Sequence, residues 1–338
     1  MWPRGLLLFS ISTLSVCKAI QYEAQLAWLE SAPDSFDDEA EQRLINADHN
    51  PTLSRSVSFQ PFKDIWGDLD ADSALQDSDW TWRVNVSDVA VPDATHLEKN
   101  ITDPHIVSLT WDFSWPGNDN LSDILGGNGS EFCWVQLDSN YDFPVNVTNT
   151  FTEDIATNSS CVPALGKACV DAILKIVPNN CVWESVDIDF TRFPECAGAF
   201  ADSVHHNTEG EAYIGNFLNN TDPTFQLSSG GPFYLRLSVP VNGAQSETFN
   251  AVANGLNIVL LSAKIRESRS EAQHGYVQGS ELLCTRVNAT KLADKDQDGD
   301  GTAYVSEVVL LSSAQSLFSS IYFWRTAALI AGIMSALM

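Results

Sequence analysis

Basic residues are scarce in this sequence of 338 residues. It contains 18 lysines and arginines against 44 aspartates and glutamates, which gives a net charge of −26. Such a surface repels nucleic acid and anionic lipid headgroups, because both carry dense negative charge. The composition therefore excludes a nucleic-acid-binding surface of the usual kind. It favours a soluble acidic protein that attracts cations or basic partners.

The sequence also lacks the short motifs of common hydrolases and nucleotide-binding proteins. It contains no H-E-x-x-H, no G-x-S-x-G and no phosphate-binding loop. A weaker pattern at 184–192 places Asp187 and Asp189 on one face of a strand-like run, where paired carboxylates are able to act on a glycosidic bond. The run resembles the D-x-D strand of chitinase-like barrels, but Thr191 stands where they carry a glutamate. The sequence therefore favours a protein without enzymatic activity.

Long hydrophobic runs are missing, and only the two ends of the chain are strongly apolar. Residues 1–19 contain Arg4, then an apolar core, then the small residues Cys17 and Ala19. This order is typical of a secretory signal peptide cleaved after Ala19. A retained membrane anchor is the alternative, but the apolar run is short for a membrane span.

The chain finishes with 13 uncharged residues after Arg325. That is shorter than a spanning helix requires, and no basic tail follows it. Small residues, a spacer and a hydrophobic terminus are typical of a GPI-attachment signal. We expect residues 313–338 to be removed and Ser312 to carry the lipid, with Ser313 and Ser319 as competing sites. A tail-anchored span and a packed helix are the alternatives.

Cysteine pairs of the C-x-x-C kind are absent, which argues against a metal site built on thiolates. Cys17 lies in the signal peptide, so an even number of cysteines remains in the mature chain. In an oxidising compartment these predict three disulfide bonds whose pairing the sequence leaves open. The six are Cys133, Cys161, Cys169, Cys181, Cys196 and Cys284.

Eight N-x-S/T sequons accompany the signal peptide, and together they indicate a glycosylated surface protein. We expect each sequon asparagine to face solvent. The eight are Asn85, Asn100, Asn120, Asn128, Asn146, Asn158, Asn219 and Asn288.

Alternation of apolar and polar residues predicts β-strands within 80–86, 107–115 and 233–241. A further strand is predicted within 131–137, and an apolar run predicts a more buried strand within 257–265. Helical spacing predicts a helix within 163–177, and Ser246 and Gly255 bracket a shorter one. Because the tryptophans alternate strictly with polar residues, they predict a sheet core in preference to a sugar-binding face. The fold class is therefore α+β, mainly β, with an antiparallel sheet core and a disulfide-stapled helical segment.

This pattern divides the chain into an acidic N-terminal extension at 20–60, an ectodomain at 61–290 and a short segment at 291–312. The extension has no strong core pattern, so we expect it to pack loosely. Its acidic run lies at 37–39, inside a stretch at 35–45 that leans towards helix.

The segment at 291–312 contains alternating aspartates that resemble the calcium loop of an EF-hand over twelve residues. Carboxylates at every second position around a tight turn converge on one point, and calcium takes oxygen ligands. The predicted ligands are Asp296, Asp298, Asp300, Thr302 through its carbonyl and Glu307. Ala303 stands where such loops usually carry a larger aliphatic residue. An isolated structural calcium loop and a plain acidic loop are therefore both open.

A second, degenerate acidic loop lies at 68–79, where Ser73 stands in place of the expected glycine. Because EF-hands usually pair, it is the one possible partner for the loop at 296–307. The alternative for this stretch is a solvated acidic loop.

The signal peptide, even cysteine count, dense sequons and lipid-signal tail together resemble the secreted, GPI-anchored surface glycoproteins of filamentous fungi. The resemblance implies a location at the outer face of the plasma membrane or in the cell wall. It implies no active site. We therefore predict a non-enzymatic surface glycoprotein held by a GPI lipid, with calcium as a structural cofactor. The alternative is a carbohydrate-active enzyme or lectin-like binder of cell-wall polysaccharide.

Overall fold

The computed structural model describes a central set of strands and the helices that cover them. The described residues are 38–61, 78–92, 101–117, 121, 131–137, 143, 145–156, 158–176, 193–200, 215–216, 227–238, 240–244, 246–266, 276–292 and 310–311. The predicted signal peptide, the acidic stretch at 296–307 and the predicted lipid site lie outside these residues.

The larger sheet has six antiparallel strands, in the order β1-β2-β3-β6-β10, with β7 pairing to the start of β3. The strands are β1 (Leu53–Phe59), β2 (Trp80–Ala90), β3 (Pro104–Ser114), β6 (Pro232–Ser238), β7 (Val241–Asn242) and β10 (Leu310–Leu311). The smaller sheet has four antiparallel strands in the order β5-β4-β8-β9. They are β4 (Glu131–Gln136), β5 (Gly215–Asn216), β8 (Leu256–Arg266) and β9 (Tyr276–Arg286).

The described helices are short except for the first and the fourth. They are α1 (Asp38–His49), α2 (Val145–Thr148), α3 (Val162–Leu165), α4 (Lys167–Ile176), α5 (Ala197–Phe200) and α6 (Glu247–Asn254), and a 3-10 turn at Pro194–Cys196 precedes α5. Gly166 separates α3 from α4 with φ +78°, a conformation that glycine adopts without strain. The predicted helix within 163–177 is therefore confirmed as two helices. Ser246 caps α6, because its hydroxyl accepts a hydrogen bond from the Phe249 amide at 3.2 Å.

Three clusters of buried side chains order these elements into layers. The central cluster lies between the two sheets and contains residues of both, such as Trp82, Trp111 and Trp134. A second cluster joins the other face of β8 and β9 to helices α2–α5. A third joins α1, through Leu44, to the outer face of the larger sheet. The predicted α+β fold with an antiparallel core and a stapled helical segment is confirmed.

The tryptophan rows of β2 and β3 form the central core. Trp80, Trp82 and Trp111 have no exposed surface. The rings of Trp82 and Trp111 meet edge to face, with centroids 5.2 Å apart, which is a favourable aromatic geometry. The interpretation of these residues as core, in preference to a sugar-binding face, is confirmed.

One extended segment closes the gap between the edges of the two sheets. Asn158 forms a bridge with Ser58 at the edge of the larger sheet, and Ser160 forms a bridge with Leu283 at the edge of the smaller one. The disulfide of Cys161 to Cys284 follows directly. Because both edge strands are covered here, their backbone groups are shielded from pairing with other chains.

The structure corrects the predicted boundary at residue 60. Strand β1 pairs with β2 along its whole length, and α1 buries Ala40 and Leu44 against the larger sheet. Residues 38–59 thus pack against the larger sheet, where the sequence predicted a loosely packed extension. The sequence did not indicate this packing, because α1 buries only a narrow apolar stripe and β1 is an edge strand with several exposed serines.

A second correction concerns the strand predicted within 233–241. It ends at Ser238, and Leu237 faces α1 and not the central core. Tyr234 pairs with Trp111 and lies in the central core instead. Since both faces of this strand are covered, alternation alone could not tell which face is the central one.

Candidate functional site

The described residues bring polar groups together on the outer face of the larger sheet, beneath the last turn of α1, and all of them except Arg83 are buried. We call Asp48, Arg83, Asn85, Thr110 and Asp112 the outer-face cluster. Along β2 and β3 the side chains alternate, so the tryptophans point to the central core and these polar residues to the other side. Asn85 and Thr110 stand directly opposite each other in the register of the two strands, as do Arg83 and Asp112.

Asp48 is the point at which α1 meets the cluster. Its Oδ1 atom accepts a hydrogen bond from the Thr110 hydroxyl at 2.5 Å and another from the Asn85 amide nitrogen at 3.4 Å. On the far side of Asn85, the Ser54 hydroxyl donates to the Asn85 carbonyl oxygen at 2.7 Å. Helix α1 and strands β1, β2 and β3 are thus joined through side chains, of which Asp48, Asn85 and Thr110 are almost fully buried and Ser54 is exposed.

Asp112 forms an ion pair with Arg83, whose Nε atom donates to Asp112 Oδ2 at 2.6 Å. Burial raises the pKa of Asp112 from its ordinary value of 3.8 to about 6. The positive charge and hydrogen bond of Arg83 lower this pKa, whereas the negative charge of Asp48 raises it. The cluster therefore takes up a proton at mildly acidic pH.

A second polar group lies at the start of β3. His105 Nδ1 lies 2.7 Å from Asp88 Oδ1, and its Nε2 lies 3.5 Å from Asp103 Oδ1. The Asp103 carbonyl accepts a hydrogen bond from the amide of Gly243, which follows β7. These contacts hold the start of β3 against its neighbours.

Arg286 is a fully buried arginine that ties the helical layer to the smaller sheet. Its guanidinium donates to the carbonyl oxygens of Asn254 at 2.7 Å and Thr290 at 2.9 Å, and to those of Thr148 and Phe151 at 3.3 Å. Burial lowers the pKa of Arg286 to about 10. Four carbonyl acceptors satisfy its donors, so its role is to hold chain segments together.

The predicted disulfide framework is present among the described residues. Cys161 pairs with Cys284 and Cys169 with Cys196, and Cys133 is disulfide-bonded as well. Cys181 lies outside the described residues. The pair Cys169–Cys196 attaches α4 to the 3-10 turn before α5, which confirms the predicted disulfide-stapled helical segment.

The sequon asparagines that the structure describes differ in exposure. Asn146 and Asn158 are exposed, and Asn288 is partly exposed. Asn85 is 1% exposed, so the expectation that it faces solvent is wrong. The alternation of β2 did place Asn85 away from the central core, but α1 covers that face. Asn100, Asn120, Asn128 and Asn219 lie outside the described residues.

The predicted calcium ligands Asp296, Asp298, Asp300, Thr302 and Glu307 all lie outside the described residues, as do Ser312, Asp187 and Asp189. Leu310–Leu311 form a strand, so the exit helix of a complete EF-hand does not form at those residues. Asp79, the last residue of the degenerate loop, accepts a hydrogen bond from Gln60 at 2.8 Å. Within the part of the chain that the structure describes, no three histidine, cysteine or acidic side chains gather as metal ligands.

In the described part of the chain, no helix combines the length and the apolar character needed to cross a bilayer.

Sequence reasoning missed the outer-face cluster, because its residues come from three separate segments. The usable signal was the polar row of each alternating strand. Asn85 and Thr110 meet only when β2 and β3 are paired in the observed register. Asp48 joins them only once α1 is docked, and nothing in its local sequence marks it.

Comparisons with known proteins identify no relative of this chain. No family model, no curated protein and no solved structure matches the chain.

Proposed function

We propose that the mature chain is a non-enzymatic, N-glycosylated glycoprotein at the outer face of the plasma membrane or in the cell wall, anchored by a GPI lipid on Ser312. The observation that carries the proposal is the pair of buried disulfides, Cys161–Cys284 and Cys169–Cys196. Such bonds persist in oxidising compartments and are rare in the cytosol. The signal peptide, the sequons and the lipid-signal tail are consistent with that route.

The burial of the aromatic rows supports the non-enzymatic part of the proposal. A lectin-like or carbohydrate-active protein commonly stacks sugar rings on exposed aromatic side chains. The tryptophans of β2 and β3 are instead packed between the two sheets. The tryptophans of these strands therefore form no exposed aromatic surface, which weakens the alternative of a polysaccharide binder or carbohydrate-active enzyme.

We also propose that residues 296–307 bind calcium in a structural role. Support comes from both ends of the segment that contains them. Asn149 accepts a hydrogen bond from the Leu292 amide at 2.8 Å and donates to the Leu292 carbonyl at 3.0 Å. At the other end, Leu310–Leu311 pairs with β6. A loop fixed at both ends near the anchor is a suitable place for a stabilising cation, and extracellular loops of this kind bind calcium at roughly 10⁻⁴–10⁻³ M.

Enzymatic release from the cell surface tests the anchoring. The full chain would be expressed in a fungal host, labelled at the surface and treated with phosphatidylinositol-specific phospholipase C. We expect surface label that the enzyme releases. Ser312→Tyr should abolish surface display, because the attachment site accepts only small residues. Ser319→Tyr is the matched control and should behave as wild type. Surface label that resists the enzyme, or protein retained inside the cell, would contradict the proposal.

A further inference from the structure

The outer-face cluster places a hydroxyl group, a carboxylate and a carboxamide within contact of one another. Thr110 and Asn85 face each other across neighbouring antiparallel strands, where directly opposed side chains have Cβ atoms about 4.5–5.5 Å apart and are in contact. Asp48 reaches them from the last turn of α1. All three side chains are at most 5% exposed. This arrangement is independent of the location proposed above.

The hydrogen bonds indicate a distinct chemical role for each of these groups. Thr110 Oγ1 donates to Asp48 Oδ1 at 2.5 Å, so the carboxylate is placed to take the hydroxyl proton. Asn85 Nδ2 lies 3.4 Å from Thr110 Oγ1 and 3.4 Å from the same oxygen of Asp48. The nucleophile, the base and the nitrogen of the leaving group therefore meet at one point.

The carbonyl oxygen of Asn85 is held from the opposite side. Ser54 Oγ, on the edge strand β1, donates to Asn85 Oδ1 at 2.7 Å. A hydroxyl in this position polarises the carboxamide carbonyl and stabilises the negative charge that develops on its oxygen during attack.

We propose that Thr110 and Asn85 form an intramolecular ester cross-link between β2 and β3, with Asp48 as the catalytic base and Ser54 as the donor to the oxyanion. Thr110 Oγ1 attacks Cγ of Asn85 while Asp48 takes the hydroxyl proton. The C–N bond then breaks, and Asp48 returns the proton to the departing amide nitrogen. The products are the ester and one ammonia molecule, and the Asp48 carboxylate is regenerated. No oxidant or other reactant is required.

The surroundings favour the formation and the survival of this bond. The folded sheet holds the reacting groups together, which removes the entropy cost of an encounter. Exclusion of water from the buried cluster protects the ester from hydrolysis. The bond would join two central strands of the larger sheet by a link that reducing agents do not cleave, unlike the disulfides of the helical layer.

Peptide mass spectrometry of the secreted full chain tests the proposal on the unmodified protein. We expect the peptide that contains Asn85 to be joined to the one that contains Thr110, with the mass of their sum less one ammonia. Alkaline hydrolysis in water labelled with oxygen-18 should separate them and leave labelled aspartate at position 85. Two separate peptides with an intact Asn85, or a glycan on Asn85, would overturn the proposal.

Variants then test the assigned roles. Asp48→Asn and Thr110→Val should yield only separate peptides, whereas Ser56→Ala, an exposed position on the same face of β1, should retain the cross-link. A protein with Asp48→Asn that is secreted with its disulfides formed and still cross-linked would overturn the role of Asp48 as base.

Discussion

Cys161 and Cys284 are joined by a disulfide, with Cα atoms 4.9 Å apart, although 123 residues separate them in the chain. The bond lies beside the segment that bridges the edges of the two sheets. The Cys284 amide donates to the Ser159 carbonyl at 2.8 Å, which aligns that segment with β9. This disulfide therefore holds the helical layer against the edge of the smaller sheet and keeps the gap between the sheets closed.

Removal of this disulfide should cost more stability than removal of Cys169–Cys196. In the chain-entropy model, the loop of 123 residues corresponds to about 5 kcal/mol and the loop of 27 residues to about 3.5 kcal/mol. Urea unfolding of the two double cysteine-to-alanine variants would measure the difference. Equal losses, or a larger loss from Cys169→Ala/Cys196→Ala, would contradict the prediction.

Acidification should stabilise the folded protein through Asp112. Its folded pKa of about 6 lies above its ordinary value of 3.8, so the folded state binds the proton more tightly than the unfolded chain. The resulting stability is complete below pH 3.8 and is lost as the pH rises through about 6. Between pH 7.5 and pH 5, the free energy of unfolding of the wild type should rise by about 1 kcal/mol relative to Asp112→Asn.

Chemical denaturation at the two pH values provides this measurement. Asp171→Asn, at an exposed ion pair with Lys167, is the matched control. Surface pairs contribute little to stability, so this variant should follow the wild type. A wild type and an Asp112→Asn protein with parallel pH dependence would show that Asp112 does not titrate differently on folding.

N-glycan occupancy should follow side-chain exposure. We expect glycans on Asn146 and Asn158, whose side chains are exposed, and none on Asn85. A glycan on Asn85 would have to occupy the space between α1 and the larger sheet. Glycopeptide mapping of the secreted protein gives the occupancy of each site. A fully occupied Asn85 in folded protein would contradict the docking of α1.

Calcium should stabilise the mature chain, residues 20–312, if residues 296–307 bind it. Calorimetric titration and thermal melting of that chain at millimolar calcium should show saturable binding and a higher melting temperature. Glu307→Gln should lose both effects, because it removes the bidentate ligand. Asp79→Asn, in the degenerate acidic loop, is the control and should keep the response. No heat and no shift in the wild type would identify 296–307 as an acidic loop only.

The sequence predicted those elements whose pattern is local. The tryptophan alternation located β2 and β3, the apolar run located β8, and Ser246 marked the start of α6. These signals are strong because each buried face repeats along a single element. Gly166 interrupts the predicted helix in a way that its apolar spacing alone does not show.

The outer-face cluster could be predicted only with knowledge of the tertiary structure. Ser54, Asn85 and Thr110 each look like ordinary polar positions of an exposed sheet face. The burial of Asn85 and Thr110 depends on α1, whose docking rests on a few apolar residues such as Leu44 and on polar contacts from Asp48. The meeting of these side chains is therefore a property of the assembled layers, which local patterns do not encode.

The identity of the two ends of the mature chain is the most direct test of the proposed surface anchoring. Mass spectrometry of protein purified from the cell surface would identify its first residue and its C-terminal peptide. We predict that the chain begins at Ile20 and that the peptide beginning at Asp296 ends at Ser312 with a GPI remnant attached. A peptide that extends to Met338 without lipid would contradict the proposed surface anchoring.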